Sequence, residues 1–388
     1  MRFTSGRPSS DRGHDIARAM WPDVTQKDWN DWQWQFVNRV SSIKTLGILL
    51  GLSADRLSAY EGLVSTYKYA VTPYYLSLIN WPDPHDPIKK QCLPDLRETT
   101  FRLPGSDEDP LAEERHSPVP GLIHRYPDRA LVVLTNMCAM YCRHCNRKRN
   151  WKNQGERTLG RAALNRIIAY IKNTPVIREV IISGGDPLLV SLGFLDEILW
   201  GISAIPHIDA IRIGTRIPVV MPMRITDELC RLLSRRRPIW LNTHFNHPAE
   251  ITDAAISACD KILKAGIPIS NHTVLLKGVN DSAHTILSLC RALQRHMIRP
   301  YYLFHCDAVT GTDHFRTGIQ KGIEIMNVLQ GNLGGLAVPD YVVDLPSGGG
   351  KARVMPSQLV SIDDNMAVFK TFEGGDIHYL APNGADSR

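Results

Sequence analysis

The chain lacks any apolar run long enough to cross a bilayer. Its longest, Leu46 to Leu52, is interrupted by glycine and falls far short of the roughly 20 residues a spanning helix needs. It also lacks a secretory leader, because Met1 to Arg18 is polar and rich in Arg, Asp and Ser with no hydrophobic segment. Charge of one sign is scarce: the net value is only +6 over 388 residues. That excludes neither fold nor enzyme, but it argues against a nucleic-acid partner, and Arg235 to Arg237 reads as a solvated helix end. Cysteine is sparse too, with eight in all. Cys92, Cys230, Cys259, Cys290 and Cys306 are scattered through apolar or helical contexts, as expected of reduced, buried thiols in a cytoplasmic protein. What remains, 43% hydrophobic and 22% charged residues, is the composition of a soluble α/β enzyme with a sizeable core.

The other three cysteines are not scattered. Cys138, Cys142 and Cys145 form C-x3-C-x2-C on one loop. Three adjacent thiolates hold three irons of a [4Fe–4S] cube and leave the fourth open to an external ligand. The spacing resembles that of the radical S-adenosylmethionine (SAM) enzymes. There SAM occupies the open iron and is cleaved to a carbon radical. The alternative is a zinc knot completed by His144, which would make this a zinc-held interaction protein. Structural zinc sites usually draw paired ligands from two hairpins, and no second C-x2-C or H-x3-H pair follows.

Along the chain, Thr25 to Leu78 reads as helices. Thr25 and Asp28 look like a helix-start box, and Trp29, Trp32, Phe36 and Val40 form a packing stripe. Prolines and acids from Asn80 to Pro120 predict an extended, loop-rich connector. Strand-like runs then recur at Ala130–Thr135, Glu179–Ser183, Ala210–Gly214, Ile239–His244, Ile267–Leu275 and Pro300–His305. Helical periods separate them, as at Arg161–Lys172, Ala254–Ala265 and Ala283–His296. Six β/α units predict a partial (β/α)6 TIM-like barrel, with a seventh short strand at Tyr341–Asp344. We expect three parts: a helical region and connector over 1–120, the barrel over 121–345, and a tail over 346–388. Chemistry in such barrels gathers where strands end. The cysteine loop, Ser183 to Asp186, His244, Asn271 with His272, and His305 with Asp307 all obey that rule.

Two glycine motifs stand out. Ser183-Gly184-Gly185-Asp186 would let backbone approach a ligand without Cβ interference, and it looks like the radical SAM motif that binds the methionyl amino group. In Ser347-Gly-Gly-Gly-Lys351 a phosphate-binding P-loop reading fails, because Leu345 stands where its first glycine belongs and Ala352 where Ser or Thr is required. A lysine beside glycines is either a solvated turn residue or a Schiff-base nucleophile to pyridoxal phosphate (PLP).

Taken together, the cysteine loop, His124–Arg129, Ile182–Asp186, Asn242–Pro248, Val342–Pro356, Trp29–Trp34 and Thr72–Ser77 resemble the lysine 2,3-aminomutase family over nearly the whole chain after residue 20. The resemblance implies that Cys138, Cys142 and Cys145 hold the cluster and that Lys351 carries PLP. It also implies that Arg125, Tyr126 and Arg129 clamp the PLP phosphate, while Ser183, Gly184, Gly185, Asp186, His244 and His272 surround SAM. Arg147 would take the substrate α-carboxylate, and Asp307 and Asp344 its distal cation. The implied reaction moves the α-amino group of a basic amino acid to the β-carbon. Lysine leads and arginine is the alternative; a PLP-free radical SAM reaction is the rival among enzymes. A flavodoxin- or ferredoxin-type electron donor and a homo-oligomer are implied as partners, with no membrane or nucleic acid. His272 departs from the family's usual Gln, and Phe304, His305 and Ala308 also differ from its more familiar residues. No cysteine-rich zinc tail is present, so the tetramer of the clostridial-type enzymes is not implied.

Overall fold

The computed structural model describes residues 19–152, 155–236, 238–363, 366–371 and 373–380. Met1 to Arg18 and Arg237, on which sequence expectations fell, lie outside them. Nine strands form one sheet in chain order. They are β1 (Leu122–Tyr126), β2 (Arg129–Val133), β3 (Glu179–Ser183), β4 (Ala210–Gly214), β5 (Ile239–Thr243), β6 (Ile269–Leu275), β7 (Arg299–His305), β8 (Asp340–Leu345) and β9 (Gly350–Arg353). Strands β2 to β8 run parallel, each pair joined by a helical crossover. This is the expected partial barrel: six strand–helix units and a further strand. Two antiparallel strands, β1 and β9, extend it at the edges.

The crossover helices form where periodicity and caps agree. Leu164, Ile167 and Ile171 are the buried face of Arg161–Lys172, spaced so that one stripe meets the sheet. Ser191, Thr226, Thr252 and Ser282 open the next helices by accepting a hydrogen bond from the amide three residues on. The sheet is asymmetric in burial. In β3, Val180 and Ile182 are buried against helices while Glu179, Ile181 and Ser183 stay partly open, and β4 repeats the alternation. An ordinary closed barrel fills its interior with side chains. Here the inward face lines a cavity of about 700 Å³.

The N-terminal helices join the same core: Val40, Leu46, Leu63, Tyr75 and Ile88 belong to one buried cluster with β2 to β6. The Thr25–Asp28 box forms in both directions. Trp29, Trp32 and Phe36 pack against the cluster and Val40 is buried in it. The connector differs from expectation. Asp86 caps a helix at Pro87–Cys92, and a second turn of helix spans Arg97–Thr100. Both bury side chains, among them Gln91 and Glu98. Prolines and acids here begin helices as well as break them. A separate three-stranded sheet, β10 (Leu359–Ile362), β11 (Met366–Lys370) and β12 (Asp376–Leu380), follows. Among the described residues, no helix is long and apolar enough to cross a membrane.

Candidate active site

The residues assigned above to cluster, SAM, PLP and substrate all line a cavity inside the barrel, while Asn271 is buried beside it and bonds the Phe245 backbone. At one end stands the cysteine loop after β2. Its backbone is zipped onto the N-terminal region, with the Tyr141 amide donating to Ala70 (3.1 Å) and the Arg143 amide to Gln91 (2.9 Å). Glu98 of the connector fastens its side chains. It accepts from Arg143 Nε at 2.9 Å and from Lys148 Nζ at 2.6 Å, and all three side chains are excluded from solvent. Burial opposes the Glu98 charge, but Arg143 and then Lys148 outweigh it and hold its pKa below the ordinary value. Removing one member of such a group leaves buried charge without a partner. Glu98→Ala should therefore lower stability by about 3–5 kcal/mol, read as a shift in the urea midpoint. A wild-type midpoint would show that the triad does not hold the loop.

The thiols of Cys138 and Cys145 are raised in pKa by burial first and then by the neighbouring cysteines, Cys145 to about 11. Thiolates at this spot need positive charge beside them, which iron supplies. The protein adds its own: Arg216 Nη1 donates to Cys142 Sγ at 2.7 Å. The same guanidinium is held by Gln91 Oε1 (2.6 Å), Glu250 Oε1 (2.7 Å) and the His244 carbonyl (3.1 Å). His144, the fourth ligand a zinc knot requires, instead sets Nε2 against Asn246 Nδ2 at 3.2 Å and its ring edge-on to Phe315.

Beyond the thiols lies the Ser183–Asp186 turn. Its glycines meet a need within the chain itself. A Cβ on Gly184, at φ +132°, would sit 2.5 Å from the Thr135 carbonyl oxygen, and one on Gly185 would overlap the Met137 backbone. The turn packs directly on the cysteine loop, and glycine is what the contact permits. The Asp186 carboxylate accepts from Thr215 Oγ1 (2.7 and 2.9 Å), the Arg216 amide (2.8 Å) and the Leu188 amide (3.2 Å). It thus places the segment carrying Arg216. Burial pushes its pKa up to about 6. His244 and His272 stand edge to face, 5.3 Å apart. Burial keeps both neutral, His244 with a pKa lowered to about 4.

Cations and acids share the remaining wall. Arg147 is gripped by Glu113. Asp344 on β8 faces Lys351 on β9 in register, and Lys351 Nζ donates to its two oxygens at 2.9 and 3.1 Å. Arg125, expected at a phosphate, donates Nη2 to Asp344 on β8 at 3.3 Å and so reaches across the seam between the edge strands β1 and β9 that no backbone pairing closes. On the hairpin, Arg125 Nη2 also meets Tyr126 Oη (3.2 Å), and Arg129 stacks on the Tyr126 ring. Gly350, at φ +86°, brings β9 against that tyrosine. Asp307 is pushed up to about 7 by burial and then by Asp344.

These residues fit the cofactors by chemistry. The three thiols share one end of the cavity. A lysine stands on a glycine-rich strand opposite a guanidinium-and-phenol hairpin suited to phosphate. Glu98, Glu113, Gln91, Arg216 and Glu250 were not singled out from sequence. Arg216 lies just past β4, where the strand-end rule could have found it; the connector residues carry no local signal.

The radical SAM superfamily model matches residues 132–290, and the lysine-2,3-aminomutase model matches residues 326–387. The chain is 46% identical to the L-lysine 2,3-aminomutase of Acetoanaerobium sticklandii, over 93% of this chain and 86% of that one. It is 45% identical to the L-lysine 2,3-aminomutase of Clostridium subterminale, over 94% and 87%. The glutamate 2,3-aminomutase of Clostridioides difficile is 40% identical over 90% and 82%. With identity of this order over more than nine-tenths of its length, the chain belongs to the lysine 2,3-aminomutase family of radical SAM isomerases.

Proposed function

We propose that this chain moves the α-amino group of a basic L-amino acid to its β-carbon, with L-lysine as the lead substrate. Family membership does not choose the amino acid, since a glutamate 2,3-aminomutase is also a relative. The observation that carries the choice is the pair Asp307 and Asp344 on the cavity wall. Two close carboxylates welcome a cation between them and repel a substrate carboxylate. L-Arginine is the second reading, because a planar guanidinium suits paired acids and Ala308 beside Asp307 is small.

The family's cofactors are a [4Fe–4S] cluster, SAM and PLP. When bound, the cluster and SAM supply a carbon radical that abstracts hydrogen, and PLP supplies a covalent hold on nitrogen and a ring that spreads unpaired spin. The chain's residues do the rest. Cys138, Cys142 and Cys145 ligate iron, while Ser183 to Asp186 with His244 and His272 form the wall for SAM. Lys351 carries PLP, and Arg125, Tyr126 and Arg129 take its phosphate. Arg147 grips the substrate carboxylate while Asp307 and Asp344 take the distal cation. Holding both ends still lets nitrogen migrate between two carbons that do not move. Asp344 already holds the Lys351 ammonium, and a substrate cation takes over that role.

The same reading includes a cytoplasmic enzyme with an external flavodoxin- or ferredoxin-type donor, supported by eight unpaired cysteines. It also includes a homo-oligomer, supported by exposed apolar residues such as Val360, Ile377 and Leu380 on β10 and β12.

The test is anaerobic reconstitution with iron, sulfide, PLP, SAM and reductant, followed by an amino-acid panel scored for β-isomers. Lysine or arginine should give the highest kcat/KM. Asp307→Asn should lower that value by about 2–5 kcal/mol, as for a desolvated charge pair losing one partner. Because the Asp307 pKa lies at about 7, protons compete with the substrate cation below it, and kcat/KM should rise as pH increases through that value. Glutamate turned over as well as lysine would overturn the assignment.

A further inference from the structure

We infer that Glu113 is the positioning residue of the substrate-carboxylate site, acting through Arg147; the inference rests on the role proposed for Arg147 above. A guanidinium offers two bidentate edges, a side edge (Nε with Nη2) and an end edge (Nη1 with Nη2). Glu113 takes the side edge completely: Arg147 Nε donates to Oε1 and Oε2 at 2.9 and 3.0 Å, and Nη2 donates to Oε1 at 2.7 Å. At the end edge, Nη1 meets only Ser183 Oγ, at a long 3.3 Å. Nη2 has its second proton there for a second carboxylate, and Nη1 can exchange the long Ser183 contact for that carboxylate's other oxygen. Both side chains are nearly buried, 9% exposed for Glu113 and 13% for Arg147, so the pairing fixes the plane of the fork inside the cavity.

Glu113 is itself held. Arg149 Nη2 donates to its other oxygen at 2.9 Å, and Asp109 pairs with Arg149 at 3.1 Å. The strap from Ser106 to Ser117 that carries these acids is tied down on two further sides of the cavity mouth. The Asp107 amide donates to the Ala308 carbonyl (2.9 Å), next to Asp307, and the Ser347 amide donates to the Pro110 carbonyl (2.8 Å), beside the lysine turn. One connector thus sets the distance between the carboxylate grip and both other substrate contacts. A competing role would be a placeholder that the incoming carboxylate displaces. The side-edge geometry opposes it, because a second carboxylate can dock on the end edge without displacing Glu113.

The two roles predict opposite signs. In the reconstituted enzyme, Glu113→Gln should raise KM for lysine by about tenfold or more while kcat stays within about threefold, the mark of lost uniform binding. Glu113→Asp, which restores the charge, should recover part of that loss. 1,5-Diaminopentane has both amines but no carboxylate, and its inhibition constant should stay within about twofold. Iron content per chain reports that each variant is folded; if the Gln variant loses iron, the Asp variant decides. A KM unchanged or lowered, or an equal loss for lysine and the diamine, overturns the inference. If Arg147→Gln raises KM and Glu113→Gln does not, only Glu113 falls. If the wild type isomerises no basic amino acid, the functional reading falls first.

Discussion

Cys142→Ala is expected to lose cluster iron and all SAM cleavage. The wild type, purified and reconstituted without oxygen, should be brown and carry about four irons per chain. A cube with one iron reserved for SAM has three protein ligands, and the chain offers three thiols at one end of one cavity. Cys142 is the one whose loss does most harm, because Arg216 Nη1 lies 2.7 Å from its sulfur. Removing the thiolate leaves that buried guanidinium with less negative charge beside it. Cys230→Ser and Cys259→Ser serve as controls. Both thiols are buried in helices outside the barrel, and iron content should not change. Full iron and full turnover in Cys142→Ala would mean the cluster is held elsewhere.

Lys351→Ala should reduce turnover by at least about a thousandfold, roughly 4 kcal/mol, while iron content stays at the wild-type value. Borohydride reduction and peptide mapping of the wild type should place the pyridoxyl group on Lys351. The structure distinguishes this lysine from its rivals. Lys148 Nζ donates to Glu98, the Arg143 carbonyl and the Gly311 carbonyl, so its three protons are all committed in a buried pocket. Lys321 lies on an outer helix and pairs with Glu324. Lys351 alone of the three lines the cavity, 30% exposed and opposite Asp344. An adduct on Lys148 or Lys321, or none, would remove PLP from the mechanism proposed here.

Much of this was legible in the residues. Helix Arg161–Lys172 and strands Glu179–Ser183 and Ala210–Gly214 have the same ends in the sequence pattern and in the structure. Periodicity and caps are local, and burial on one face follows from them directly. The strand-end rule then gathered Cys138, Ser183, His244, His272, His305 and Asp307, which line one cavity, without any knowledge of contacts. The hairpin strand β1 was missed because Leu122–Tyr126 mixes basic and aromatic residues, and no alternation marks it. The connector was misjudged because proline and aspartate start helices and turns alike.

Sequence by itself determined the barrel's order of elements, the three-thiol loop and the lysine turn, since each depends on residues within one short segment. Tertiary structure decided which charges meet. Glu98 reaches Arg143 across 45 positions, Arg216 reaches Cys142 across 74, and Arg125 reaches Asp344 across 219. Those pairings depend on distance and desolvation after the chain has folded, and neither is written in local periodicity. The same holds for Gly184 and Gly185, whose need for a missing Cβ arises from a neighbouring loop. It holds also for Glu113, an ordinary acid in a loop until the fold sets it against Arg147.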